Sequence, residues 1–277
     1  MVSFPNCKIN LGLNIISKRA DGYHNLETIF YPVPFTDALE VIHADKNITQ
    51  KDVEFSSSGL NVDGDAANNL CIKAYHLLKK DFPQLPAIKM HLHKAIPMGA
   101  GLGGGSSDAA FTLALLNNKF HLNLTTAQLI NYSLQLGSDC PFFIINKPCL
   151  ATGRGEVLEE IQVDLPGYKL VIINPGIHIS TGWAFEQITP AKSLISIKEI
   201  IRQPVEVWKE KLVNDFEKPV LGHYPELQQL KDSLYKSGAV YAAMSGSGSS
   251  FYGIFKTASV IDQAQFPSKY FIKSFEG

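Results

Sequence analysis

The chain has 277 residues, enough for two modest domains or one large one around a sizeable buried core. Apolar residues make up 45% and charged residues 18%, and a formal net charge of −1 gives nothing global that would recruit nucleic acid or an anionic membrane. Any anionic ligand must therefore be held by local chemistry.

The four cysteines, Cys7, Cys71, Cys140 and Cys149, show neither CxxC spacing nor a histidine pattern for zinc, which points to thiols in a reducing cytosol. No basic stretch followed by an apolar run opens the sequence, and no segment approaches the ~18 apolar residues of a membrane helix. The expected setting is cytoplasmic, and Asn47-Ile-Thr49 and Asn123-Leu-Thr125 are chance matches to a glycosylation pattern.

In chain order, residues 7–16 alternate. Cys7, Ile9, Leu11, Leu13 and Ile15 point one way and Lys8, Asn10, Gly12 and Asn14 the other, which predicts a half-buried strand. Strand-like stretches follow near 26–33, 38–43 and 52–55, and Leu70, Ala74, Leu77 and Leu78 predict a helix over 69–80. Residues 87–94 alternate again. A glycine-rich loop leads into an apolar helical pattern, and a second helix covers about 125–136, ending at Gly137-Ser-Asp-Cys-Pro141. The second half has a buried-type strand at 168–174, a helix-rich middle from about 180 to 237, and two strands around Ser245–Ser249. A short helix and a last strand near 269–275 close the chain. This order argues for α+β rather than a regular βαβ series. A boundary near residue 153 would give domains 1–153 and 154–277.

The most distinctive segment is Pro97-Met-Gly-Ala-Gly-Leu-Gly-Gly-Gly-Ser-Ser-Asp-Ala-Ala110. Glycine permits positive φ and close approach of an anion to the backbone, and a helix N-terminus offers unpaired N–H groups and a positive dipole end. A branched residue at Gly103 or Gly104 should block that approach. Gly99-Ala-Gly-Leu-Gly-Gly104 fits a loose GxGxxG. The acidic residue expected roughly 20 positions on in dinucleotide binders is missing, because no Asp or Glu occurs between Asp108 and Asp139. A P-loop lysine and the protein-kinase HRD and DFG motifs are also absent.

The segment Pro97–Ala110 resembles the central ATP motif of the galactokinase–homoserine kinase–mevalonate kinase–phosphomevalonate kinase superfamily, and Met244-Ser-Gly-Ser-Gly-Ser249 resembles its third motif. Lys8-Ile-Asn-Leu11, Arg19-Ala-Asp-Gly-Tyr-His24, Leu136-Gly-Ser-Asp-Cys-Pro141 and Pro175-Gly176 narrow the likeness. They are similar to the branch of that superfamily that phosphorylates an alcohol linked to cytidine diphosphate in non-mevalonate isoprenoid synthesis. The resemblance implies an N-terminal domain like domain 2 of ribosomal protein S5 and a ferredoxin-like second domain, with ATP and the cytidine substrate meeting in the cleft between them.

It also implies roles. Lys8 and Asp139 form the catalytic pair; Pro97, Met98, Gly99, Ala100, Gly101, Leu102, Gly103, Gly104, Gly105, Ser106 and Ser107 hold the triphosphate; Lys94, Asn69 and Leu70 lie near adenine. Asn10, Tyr23, His24, Thr181, Phe185, Gly246 and Ser247 bind substrate, with Tyr23 and Phe185 expected to sandwich the pyrimidine. Magnesium is expected with ATP, without an identifiable carboxylate ligand. A solvated strand lysine and a helix-end cap are the bland readings of Lys8 and Asp139. The alternatives are another small-alcohol kinase of the superfamily and, from a different class, a nucleic-acid module, against which the lack of a Lys/Arg-rich stripe argues. The expected partners are small molecules, with neither membrane nor nucleic acid, in a monomer or homodimer.

Overall fold

The computed structural model describes residues 1–44, 52–61, 68–193 and 195–276; Asn47-Ile-Thr49 lies outside them. The first half runs β1 (Val2–Ser3), β2 (Asn6–Lys18), β3 (His24–Thr36), β4 (Ala38–His43), β5 (Val53–Gly59), α1 (Leu70–Asp81) and β6 (Ile88–Lys94). It continues with α2 (Gly104–Lys119), α3 (Thr126–Leu134), α4 (Cys140–Ile145), β7 (Cys149–Thr152) and β8 (Val157–Glu160). Then come β9 (Tyr168–Asn174), α5 (Thr181–Glu186), α6 (Ile197–Ile200), α7 (Trp208–Lys211), α8 (Glu217–His223) and α9 (Pro225–Lys236). The chain closes with β10 (Tyr241–Met244), β11 (Phe251–Lys256) and β12 (Phe271–Glu276). Among the described residues no helix is long and apolar enough to cross a membrane. All four cysteines are buried and none is in a disulfide.

Two compact units emerge from this α+β order. The first comprises Met1–Cys7, Pro34–Met98 and Gly103–Lys147. Its sheet runs β1-β4-β6-β5, antiparallel except for the parallel β5–β6 pair. Leu39, Val41, Ile88, Met90 and Leu92 of the sheet share a core with Tyr75 and Leu78 of α1 and Leu113 and Leu116 of α2. The alternation of β6 does what its pattern predicts, with Ile88, Met90 and Leu92 buried and Lys89, His91 and His93 more exposed. Thr125 and Gln128 form a reciprocal capping box at the start of α3.

The second unit comprises Lys8–Val33, Gly99–Leu102 and Pro148–Gly277. It carries sheets β2-β3-β7-β8 and β10-β11-β9-β12. β9 is paired on both edges, by β11 and β12, and its run Leu170–Asn174 is buried throughout. Leu227, Leu230 and Leu234 at helical spacing seat α9 on the same core as Val171, Ile173 and Phe255.

β2 departs from the sequence expectation of a half-buried strand, because its polar face is buried too: Lys8 is 3%, Asn10 2% and Asn14 4% exposed. Alternation registers only side-chain polarity. Here Lys8 and Asn10 bond within the unit, and Leu212 and Ile197 press against Gly12. Lys8 is therefore not a solvated strand lysine.

Candidate active site

In the first unit, α2 starts on a glycine. Gly103 stands at the N-cap with φ 71° and ψ 15°, a left-handed conformation, and offers no side chain to close off the first amides. The first helical hydrogen bond runs from Ser107 N to Gly103 O at 2.9 Å. The amides of Gly104, Gly105 and Ser106 thus precede the ladder at the positive end of a 16-residue helix, an arrangement suited to phosphate. The Ser107 hydroxyl is buried with no hydrogen-bond partner.

The three glycines differ. A Cβ at Gly105 would meet no atom within 4 Å, whereas one at Gly104 would lie 3.1 Å from Ile96 Cγ2 and 3.3 Å from Lys94 Nζ. A side chain at Gly104 would therefore disturb packing first, and one at Gly103 would strain the backbone. Gly105 is the position that faces open space, which local sequence could not distinguish.

Asp139 lies between α3 and α4, at the N-cap position of α4, yet makes no capping bond. Its Oδ1 accepts a long hydrogen bond from Ser138 at 3.5 Å. The neighbouring Cys140 thiol is pushed up to about 12 by burial; a hydrogen bond with Ser106 lowers it and the Asp139 charge raises it. Asp139 and the loop residue Ser106 thus flank one buried thiol.

Lys94, implied to lie near adenine, does not present its ammonium to a ligand. It is 1% exposed and ion-paired with Asp37 and, at 2.8 Å, with Asp108. Burial opposes its charge, but the two carboxylates prevail and hold its pKa above the usual lysine value. Asn69 caps α1, its Oδ1 accepting from Cys71 N at 2.9 Å, and Leu70 follows as the first helical residue. Pro97 is half-buried and Met98 is 46% exposed. Neither Asp37, in the turn between β3 and β4, nor Asp108 drew attention from sequence, because their partners are distant in the chain.

In the second unit, Lys8 Nζ donates to Asn10 Oδ1 at 2.5 Å and lies 5.0 Å from the centroid of the Phe30 ring. Asn10 Nδ2 donates to Thr28 Oγ1 at 3.0 Å, and Thr28 donates to Gly12 O at 2.5 Å. Asn10 thus orients Lys8, a job that alternation alone could not reveal. Gly99–Leu102 sit against the second glycine turn: Ser245 Oγ donates to Gly101 O at 2.8 Å, and Ser250 N donates to Ala100 O at 3.2 Å. A Cβ at Gly101 would overlap the Ser245 carbonyl. Asn214 Nδ2 holds that turn from the other side, donating to Met244 O and Gly246 O, both at 2.8 Å. Thr181 and Ser247 share a hydroxyl hydrogen bond of 2.9 Å.

The two aromatics expected to sandwich the pyrimidine each have other neighbours. His24 stacks on Phe185 with centroids 4.8 Å apart and planes at 14°, and Phe216 meets Phe185 edge-on at 4.9 Å. Burial, with Lys18 nearby, holds the His24 pKa below the usual value. Tyr23 is 56% exposed and has the Arg154 guanidinium 4.9 Å from its ring centroid. Asp21 bonds both Arg19 and Tyr23 N, fixing the turn that presents the ring.

An open helix start behind a glycine loop and a second glycine turn fit one class, the small-molecule kinases. Family models match accordingly: the GHMP kinases N terminal domain over residues 69–147 and the GHMP kinases C terminal domain over 196–268. A 4-diphosphocytidyl-2-C-methyl-D-erythritol kinase from Bacteroides fragilis is 50% identical over 270 residues, covering 98% of this chain and 97% of the relative. One of the same name from Cytophaga hutchinsonii is 51% identical over 258 residues, 93% of each chain. A crystal structure of 4-(cytidine 5'-diphospho)-2C-methyl-D-erythritol kinase matches with a TM-score of 0.78 at 29% identity, over 91% of this chain and 89% of that one. A mevalonate kinase crystal structure shares the fold, at 13% identity and a TM-score of 0.69 over 99% and 98% of the two chains. The chain belongs to the family of 4-diphosphocytidyl-2-C-methyl-D-erythritol kinases within the GHMP kinases. As in other kinases of that superfamily, ATP is the phosphoryl donor.

Proposed function

We propose that this chain transfers the γ-phosphoryl group of ATP to the 2-hydroxyl of 4-diphosphocytidyl-2-C-methyl-D-erythritol, in the non-mevalonate isoprenoid route. The observation that carries the reading is the uncapped start of α2, with Ser106 and Asp139 around the Cys140 thiol. Phosphoryl transfer asks the protein mainly for positioning and for neutralisation of developing charge. Asp139 accepts the proton of the substrate hydroxyl, whose oxygen forms the new P–O bond as the bond from the γ-phosphorus to the bridging oxygen breaks and ADP leaves. Lys8, oriented by Asn10 and Thr28, offsets charge on the transferring group. The residues 97–107 hold the triphosphate, with the amides of Gly104–Ser106 as donors. Asn10, Tyr23, His24, Thr181, Phe185, Gly246 and Ser247 hold the cytidine substrate, with residues 1–153 as the ATP-binding kinase domain and 154–277 as the domain that completes the substrate cleft.

Magnesium fits as a companion of the phosphates rather than as a caged ion. Among the described residues no three His, Cys, Asp or Glu side chains are grouped to hold a cation, while the Ser106 and Ser107 hydroxyls stand at the loop. It would neutralise phosphate charge there. The setting is the cytoplasm and the protein is a monomer or homodimer. The test is ADP release by the purified protein over a panel of acceptors. Turnover is expected with the cytidine substrate and not with homoserine, mevalonate or galactose; preference for a simple alcohol would refute the substrate assignment.

A further inference from the structure

Lys94, Asp37 and Asp108 form a charged cluster in the interior of the first unit, their side chains 1%, 0% and 4% exposed. The chemistry above does not use it. Burying such a group is costly, and replacing it by apolar residues is often neutral or stabilising, so stability alone is a weak reason for it.

Its geometry supplies a stronger one. Asp37 Oδ1 accepts hydrogen bonds from Ala95 N at 2.6 Å and Ile96 N at 2.9 Å, the residues that lead from β6 into the glycine loop. Asp37 Oδ2 accepts from Lys94 Nζ, and the same ammonium donates to Asp108 Oδ2 at 2.8 Å, on the first turns of α2 where the loop ends. Gly104, the first residue of α2, packs so closely that a Cβ there would lie 3.3 Å from Lys94 Nζ. One buried ammonium is therefore tied to the segment before the loop and to the helix after it.

We propose that the Asp37–Lys94–Asp108 cluster is a positioning clamp that fixes the two ends of the phosphate loop relative to each other, so that its amides meet the ATP phosphates already in place. This rests on reading Gly103–Ser107 as the triphosphate site. A preformed loop loses less conformational freedom on binding, so loosening the clamp weakens ATP rather than the second substrate. None of the three residues touches substrate in this account; each acts through the loop.

The experiment compares Asp108→Ala, Asp108→Asn and Asp37→Asn with the parent by steady-state kinetics and thermal melting. Asp108→Ala is expected to raise KM for ATP about fivefold or more while kcat and the KM for the cytidine substrate stay within about twofold. Asp108→Asn keeps an acceptor for Lys94 and should recover much of the loss, while a general packing defect would lower the melting temperature and spare KM for ATP. A lowered melting temperature with KM for ATP unchanged in all three variants would overturn the clamp. Should Asp108→Ala fail to fold, Asp37→Asn decides: a selective rise in KM for ATP supports the clamp, and no rise overturns it. Gly105→Val separates this from the underlying reading. If it raises KM for ATP while the cluster variants do not, only the clamp fails; if it leaves KM for ATP untouched, the phosphate loop itself has been misplaced.

Discussion

Asp139 and Lys8 carry the chemistry in this account, and each is embedded differently. Asp139 has a helix start but no cap bond, so replacing it should leave α4 intact. Asp139→Asn is expected to lower kcat by roughly 10²–10⁴, the usual worth of general-base assistance, with ATP affinity changed only a few-fold. Calorimetric ATP titration beside turnover measurement checks both halves of that statement. Lys8→Ala should behave alike. For the cytidine site the exposed ring of Tyr23, backed by Arg154, is the ready platform, whereas Phe185 is already covered by His24. Stacking of a base on an aromatic ring is worth about 1–3 kcal/mol, so Tyr23→Ala should raise the KM of the cytidine substrate by roughly 5- to 150-fold. Phe185→Ala should have the smaller effect, and the reverse ranking would mean that the base displaces His24. Tyr23 and His24 were legible as a block, Asp21-Gly-Tyr-His24, but their partners were not. No pattern in a single chain pairs residue 24 with residue 185, or sets Arg154 over Tyr23.

At the scale of elements, the helix start and the buried cluster behind it each make a prediction. Gly105→Val places a side chain where the protein itself has no atom within 4 Å. It should raise KM for ATP at least about tenfold while circular dichroism and melting stay unchanged, because only the ligand is obstructed. The same change at Gly104 should also destabilise the fold, since Ile96 and Lys94 stand in its way.

The cluster has a pH signature. Burial pushes the Asp108 carboxyl from 3.8 up to about 7, although Lys94 pulls it down, with Asp37 adding to the rise. Lys94 from β6, Asp37 from the β3–β4 turn and the Cys71 thiol of α1 are the titratable groups around it. The folded state thus holds a proton that the unfolded chain releases, so this group's stabilising effect is full below 3.8 and lost as pH rises to about 7. The slope for a single proton is at most ~1.4 kcal/mol per pH unit. Urea unfolding across that range should show the parent losing stability relative to Asp108→Asn as pH rises. Equal slopes would remove Asp108 as the source. Periodicity placed β6, β9 and the body of α1 closely, because each buries one predictable set of side chains. β2 escaped it, since a polar face satisfied by its own neighbours looks the same in sequence as a solvated one.

Across the whole molecule, the α+β class was legible because strands and helices alternate irregularly and glycine turns punctuate them. The short β7 and β8, at Cys149–Thr152 and Val157–Glu160, were not, being four residues each and too brief to show a period. The division of the chain was the least visible feature. Contacts assign Lys8–Val33 and Gly99–Leu102 to the same unit as the C-terminal half, so the units interleave along the sequence. Each unit keeps its own apolar core, one around Tyr75 and Leu116 and the other around Phe251 and Leu230. Composition along a chain cannot reveal such interleaving, because it depends on which strands pair.

The central claim is that ATP phosphorylates the polyol hydroxyl of the cytidine substrate. Phosphorus-31 NMR of the purified protein with ATP, magnesium and 4-diphosphocytidyl-2-C-methyl-D-erythritol tests it most directly. The account predicts a new phosphomonoester resonance growing in step with ADP while the substrate's own diphosphate signals persist, and no such resonance with Asp139→Asn on the same timescale. Growth of inorganic phosphate in place of the monoester, or cleavage of the substrate's diphosphate, would contradict it.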